Sequence, residues 1–369
     1  MANMLNKNAF YEYEKSGELV IIIRPSLACN AACAYCSAAS QNNVTLSPYN
    51  TATAIKNTIA LYKELNSSEP QRIDILFHGG EPMLLGKSYV TELANLIDKQ
   101  ITNTKICYGM QTNLLLYEGW RNILGSQLFS WRITSSYDFH ASFRRTENGD
   151  DYFSAWYDKV KRYQDDSGRR LYTICVLSRE NVDYVEDIVR EAYELGLDIR
   201  LEYLYPAGRA MNMNHTTTYL TPQEYGNAII RAYNTWKEYS DKEYLYVQGN
   251  IFESSVRNGC AVGCPFSSRC FGRVFCIMPN GNFYNCPLCA DMSLCSFGNA
   301  VTNNINYENI ATMKVAEIAF EEECYLCGIC NGGCKKDKLL TGKNKTPFCD
   351  SYKKFHNIVT QKLNQQVGV

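Results

Sequence analysis

Hydrophobic positions along the first 240 residues recur in one rhythm. A short apolar run rich in β-branched and aromatic residues is followed by a longer stretch with helical spacing, and the pair then repeats. The short runs are "ELVIII" (18–23), "RIDILFH" (72–78), "KICYGMQ" (105–111), "SWRITSS" (130–136), "LYTICVL" (171–177) and "DIRLEYLY" (198–205). Between them, "SPYNTATAIKNTIALYKEL" opens with Ser47 and Pro48 in cap and first-turn positions. "SYVTELANLIDKQI" sets Leu93, Leu96, Ile97 and Ile101 on one face, and "NVDYVEDIVREAYELG" stops at Gly196. Six β/α units in series predict a parallel sheet with right-handed crossovers, in an α/β fold. Periodicity is compatible with a doubly wound sheet and with an open barrel.

The texture changes after a helical stretch at "TPQEYGNAIIRAYNTWKEYS" (221–240). From about residue 255 the chain is rich in Cys and Gly, with no rhythm that would build a large core. Bound metal is expected to supply much of the order there. The boundary is placed between 240 and 255, giving units 1–240 and 241–369, and "SYKKFHNIVTQKL" predicts a terminal helix.

Composition narrows the function. A net charge of −1 over 369 residues argues against a nucleic-acid or membrane footprint. The polar start, "MANMLNKNAFYEYEKSG", has no apolar signal core, and "LVIII" is too short to span a bilayer. A cytoplasmic protein is expected. The 27 tyrosines supply packing and surfaces able to hold a peptide.

The 17 cysteines change the picture most. A long chain without an export signal favours metal ligation over disulfides. Cys29, Cys33 and Cys36 form C-x3-C-x2-C directly after the first strand, on a loop at the carboxyl end of the sheet, where α/β folds place ligands. Three thiolates can hold three irons of a [4Fe–4S] cube and leave the fourth open to a small molecule. A closed zinc site needs four ligands. Cys107 and Cys175 lie in strand patterns and read as small core residues. His78 borders the Gly79–Gly80 turn, where a structural hydrogen bond is expected.

"CNAACAYC" resembles the signature of radical S-adenosylmethionine (SAM) enzymes, and other segments fall in step. "HGGEP" (78–82) after the second strand is similar to that family's Gly-Gly-Glu-Pro turn. The resemblance implies that Gly79, Gly80, Glu81 and Pro82 receive the methionine amino group and that Tyr35 lies near the adenine. "MQTN" (110–113) contributes Gln111 and Asn113, as in peptide-modifying members. "SSYDFHASFRR" (135–145) resembles the segment in which Ser136 contacts ribose or carboxylate and Arg144 or Arg145 the carboxylate. Phe139 stands where Gly is usual, and the interval to the arginine is short. The implied fold is a partial (β/α)6 TIM-like barrel. The implied chemistry is reductive cleavage of SAM to a 5′-deoxyadenosyl radical, with a reductant such as flavodoxin or ferredoxin as partner.

Read beside that motif, the later cysteines resemble a SPASM domain with two auxiliary [4Fe–4S] clusters, three clusters in all. The resemblance assigns Cys264, Cys270, Cys286 and Cys334 to one, and Cys324, Cys327, Cys330 and Cys349 to the other. Only "GI" separates Cys327 from Cys330, where the family has five residues. A zinc ribbon also uses C-x2-C pairs. Cys260, Cys276, Cys289 and Cys295 remain over, with ligand-like spacing in Cys260-x3-Cys264 and Cys286-x2-Cys289, and read as buried or free thiols.

Two reactions fit this frame. Anaerobic sulfatase maturases, which make formylglycine, carry an Asp base directly after the cysteine matching Cys286, where this chain has Pro287. Maturases that join an aromatic ring to a side-chain β-carbon of a ribosomal precursor peptide, forming a cyclophane, use auxiliary clusters as electron acceptors. That is the favoured reading, with dehydrogenation or epimerisation of a peptide or small molecule as a further alternative. The base candidates are Asp138, Glu202 and Asp291. About twenty residues precede the cluster loop, so leader recognition is expected on the barrel or SPASM surface.

Overall fold

A computed structural model describes residues 19–38, 44–149, 151–239, 243–259, 264, 270–290, 292–318, 324–326, 329–330 and 332–367. Cys260, Cys327 and Asp291 lie outside the described residues.

Each of the six apolar runs forms a strand: β1 (Leu19–Ile23), β2 (Arg72–Phe77), β3 (Lys105–Gln111), β4 (Ile133–Ser136), β5 (Leu171–Leu177) and β6 (Leu197–Tyr203). They pair in parallel and in sequence order, β1 to β6. The order never reverses. With right-handed crossovers, all the helices therefore fall on one face of the sheet, as in a barrel and not in a doubly wound sheet. Those helices are α1 (Pro48–Asn66), α2 (Lys87–Gln100), α3 (Tyr117–Leu124), α4 (Tyr152–Ser167), α5 (Val185–Glu194) and α6 (Pro222–Trp236). Ser47 caps α1 by accepting from the Asn50 N–H at 3.2 Å. Thr221 and Glu224 form a reciprocal capping box on α6.

The alternation inside each strand separates two environments. Leu19, Ile21, Ile23, Ile73, Ile75 and Phe77 are fully buried, beneath the helical layer. On the other face of β5 and β6, Tyr172, Ile174, Val176, Arg200 and Glu202 are half-buried, so that face is open and partly polar. β4 starts at Ile133 and not at Ser130, because Ser130 and Trp131 take left-handed backbone angles.

The later part of the chain departs from expectation. β7 (Val274–Ile277) pairs in parallel with β1, and β8 (Asn282–Tyr284), β9 (Ser296–Asn299) and β10 (Asn304–Ile305) continue as an antiparallel meander. The result is one ten-stranded sheet. Phe271, Phe275, Phe283 and Phe297 pack against one another with ring centroids 5.8–6.3 Å apart, so this region does contribute apolar core. Among the described residues after α7 (Val247–Asn258) are α8 (Tyr307–Ile318), α9 (Lys335–Thr341) and the expected terminal helix α10 (Cys349–Val367). α10 packs on α6 and α7, the tail of the chain closing over the barrel helices. Among the described residues, no helix is long and apolar enough to cross a membrane.

Candidate functional site

The three-cysteine loop leaves the carboxyl end of β1 and is held on two sides. On one side it touches the turn after β2. The Gly80 N–H donates to the Ser26 carbonyl at 3.3 Å, and the Glu81 N–H to the Ala28 carbonyl at 2.8 Å. A β-carbon on Gly79 would stand 2.2 Å from the Ser26 oxygen, and one on Gly80 would stand 2.1 Å from the Ala28 oxygen. Gly79 also has φ +133°, a left-handed angle. The two glycines are thus required by the approach of the cluster loop itself.

On the other side the loop lies along residues 143–147. The Ala32 and Ala34 N–H groups donate to the carbonyls of Arg145 and Phe143, both at 2.9 Å, and Glu147 donates to Asn30. This pairing turns Arg144 inward and leaves Arg145 exposed.

Glu81 ties the β2 turn to the end of β3. It is 2% exposed, and its carboxylate accepts from the Met83 N–H at 3.0 Å, the Thr112 hydroxyl at 2.8 Å and the Asn113 N–H at 2.7 Å. Burial pushes its pKa up to about 7, against the pull of those three donors. Pro82 opens the short 3-10 turn that follows. The Asn113 amide reaches Cys29 Sγ at 3.8 Å and Asn30 Oδ1 at 2.7 Å, linking the β3 loop to the first cysteine. Gln111 donates to the Ser136 hydroxyl at 2.9 Å, which joins β3 to β4 at the same rim. His78 accepts from the Gly79 N–H at 2.7 Å; burial, then the nearby Arg24, hold its pKa down to about 3, so it stays neutral.

Beneath the loop lies a buried ion pair. Asp138 Oδ2 accepts from Arg144 Nε at 2.8 Å and from the Tyr35 hydroxyl at 2.7 Å, while Oδ1 accepts from the Val176 N–H at 2.9 Å. Asp138 has no exposed side chain and Arg144 only 13%. Tyr35 also packs edge-on against Phe143. Phe139, where Gly was the usual residue, is buried against Tyr137. The left-handed turn falls one residue later, at His140 (φ 56°). Of the other base candidates, Glu202 is paired with Arg200 on the open face of β6, and Asp291 lies outside the described residues.

These residues fit an iron–sulfur cube with one open iron. Cys29, Cys33 and Cys36 are half-buried on a single turn, near enough that charge on Cys33 or Cys36 would raise Cys29. Burial pushes the Cys29 thiol up to about 11, so ligation must displace a proton. Among the described residues, no three His, Cys, Asp or Glu side chains converge tightly enough for a single metal ion. A cube takes one thiolate on each iron, which spaces its ligands more widely than one ion does.

The later cysteines fall in two neighbourhoods. Cys334, at the N-cap of α9, is pushed up to about 12 by burial, and then by Asp337, Cys270 and Cys286. Burial raises Cys330, with Cys349 and Cys324 adding to it. Cys264 offers its carbonyl to Arg200 at 3.4 Å. Cys276, Cys289 and Cys295 are buried, as is Cys175, while Cys107 is half-buried. Sequence reasoning missed the role of Thr112, the buried Lys335 and Lys336, and the thiol contacts of Cys289. Only the run "CKKDK" at 334–338 carried any signal, since charged residues so dense seldom follow a cysteine into a core.

No family model matches the chain. A cysteine-type anaerobic sulfatase-maturating enzyme of Clostridium novyi (strain NT) is 22% identical over 372 residues, covering 94% of this chain and 96% of that protein. The structure of anSMEcpe with bound AdoMet and Kp18Cys peptide superposes with a TM-score of 0.74 at 17% identity, over 95% of this chain and 99% of the other. Streptococcus suis SuiB bound to its precursor peptide SuiA gives a TM-score of 0.57 at 16% identity, over 89% and 74%. The chain thus shares the fold of these proteins over nearly its whole length, and it carries a C-x3-C-x2-C loop and a Gly-Gly-Glu-Pro turn at the carboxyl ends of β1 and β2.

Proposed function

We propose that the chain is a radical SAM maturase that acts on a ribosomally made precursor peptide and installs a carbon–carbon crosslink between an aromatic ring and a partner side chain. The observation that carries the crosslink over formylglycine is Pro287. The maturases that make formylglycine place an Asp base directly after the cysteine matching Cys286. Here that position opens a 3-10 turn with a ring that has neither an acid nor an N–H. Full-length similarity to a sulfatase-maturating enzyme keeps formylglycine formation as the second reading.

In this reading Cys29, Cys33 and Cys36 hold a [4Fe–4S] cluster and leave one iron open. With SAM bound there, the pair supplies a carbon radical able to remove hydrogen from a side chain. Gly79 and Gly80 admit the loop, Asn113 steadies Cys29, and the rim of Gln111 and Ser136 faces the cofactor. Arg144, Asp138 and Tyr35 brace the loop from below. Residues 1–240 form the barrel, and 241–369 carry two auxiliary clusters on the two cysteine sets. A flavodoxin or ferredoxin supplies the first electron. The half-buried face of β5 and β6 receives the peptide.

The test is coexpression with a short neighbouring reading frame that carries aromatic residues near its C-terminus. Mass spectrometry should find the peptide lighter by two hydrogens per crosslink, with new bonds that resist reduction. A peptide of unchanged mass, alongside 5′-deoxyadenosine from the enzyme, would reject the crosslink. A cysteine converted to an aldehyde would establish the second reading.

A further inference from the structure

A second group of sulfur residues lies near the cysteines assigned to the first auxiliary cluster. Cys286 and Met292 precede two short 3-10 turns, Pro287–Cys289 and Ser293–Cys295, which end on Cys289 and Cys295. The N–H of each donates to the carbonyl three residues before it, at 3.0 Å for Cys289, 2.9 Å for Met292 and 3.0 Å for Cys295. The Cys289 thiol lies beside those of Cys286 and Cys295, and the residue is 1% exposed. A second buried group reaches the same neighbourhood from α9. Lys335 is 1% exposed; its ammonium donates to Cys270 Sγ at 3.1 Å and lies 5.5 Å from the centre of the Phe271 ring. One of the cysteines assigned to that cluster, Cys270, thus carries a buried cationic donor that is not itself an assigned ligand.

We propose that Lys335 is a positioning residue that raises the reduction potential of the auxiliary cluster held by Cys264, Cys270, Cys286 and Cys334, making it the electron acceptor of the reaction. The proposal rests on the iron–sulfur reading above. Hydrogen bonds to ligand sulfurs and nearby positive charge both favour the more negative, reduced form. An ammonium in a buried site also acts through a low dielectric, where a charge is felt more strongly than in water. Once the new carbon–carbon bond has formed, closing a crosslink breaks one ring C–H bond and releases one proton to solvent and one electron; a cluster held by these cysteines would take up that electron. A higher potential at that cluster makes this transfer favourable.

The experiment is a redox titration followed by electron paramagnetic resonance. It is run in a Cys29→Ala/Cys33→Ala/Cys36→Ala background, so that only auxiliary signals remain. Lys335→Met should make reduction at least tenfold less favourable, a fall of about 59 mV for one electron. Iron content should be unchanged, and Lys335→Arg should restore the potential. In the otherwise intact enzyme, Lys335→Met should still form 5′-deoxyadenosine while losing crosslinked product. An iron-loaded Lys335→Met protein with the unaltered potential overturns the proposal. If that variant loses iron, an unaltered potential in an iron-loaded Lys335→Gln protein overturns it instead. A wild-type chain holding only about four irons, and not about twelve, would remove the underlying cluster reading.

Discussion

Gly80→Ala should abolish SAM cleavage. Its β-carbon would sit 2.1 Å from the Ala28 oxygen and 2.5 Å from the Leu27 oxygen. These are backbone atoms of the residues that lead into Cys29, and no rotamer can move them aside. The loop must shift by about an ångström, a displacement that costs on the order of a hundredfold in rate where reacting groups must be aligned. The expected result is at least a hundredfold less 5′-deoxyadenosine, with loss of about four irons from a wild-type complement of about twelve. Gly119→Ala is the matched control. Nothing lies within 4 Å of the β-carbon it would add on α3, and alanine is the better helix former. Wild-type iron and wild-type cleavage in Gly80→Ala would show that the loop does not depend on this contact.

The legible part of the fold was the part with rhythm. Six strands and the helices between them follow from period alone, because each strand buries one face under helices that bury theirs. β7 escaped notice because "VFCI" is four residues long and sits among cysteines. It is a strand only because β1 offers it an edge, which is a tertiary fact. The "NG" at 280–281 was a readable hairpin signal, since Gly281 has φ +82° in the turn between β7 and β8. In the candidate site, spacing marked the three cysteines and the paired glycines. It did not disclose how Tyr35, Asp138 and Arg144 meet, because Tyr35 and Asp138 are separated by 103 positions. Nor did it show that the Glu81 carboxylate would bind three groups of its own chain.

Asp138→Ala is expected to destabilise the protein by about 3–5 kcal/mol, since it leaves the Arg144 guanidinium buried and uncompensated. The Val176 N–H and the Tyr35 hydroxyl lose their acceptor as well. Asp138 entered as a candidate base, and the two roles predict different outcomes. A base acts on the substrate, so Asp138→Asn would lower turnover and leave folding nearly intact. A brace beneath the cluster loop lowers the denaturant midpoint of the cluster-free chain, most strongly for alanine and less for asparagine, which keeps the shape and two acceptor lone pairs. The double variant Asp138→Ala/Arg144→Met should recover part of the loss, because it removes the stranded charge along with its partner. Denaturant titration of the four proteins decides the matter. An Asp138→Ala chain that unfolds at the wild-type midpoint would show that the ion pair contributes nothing to folding, and would return Asp138 to the chemistry.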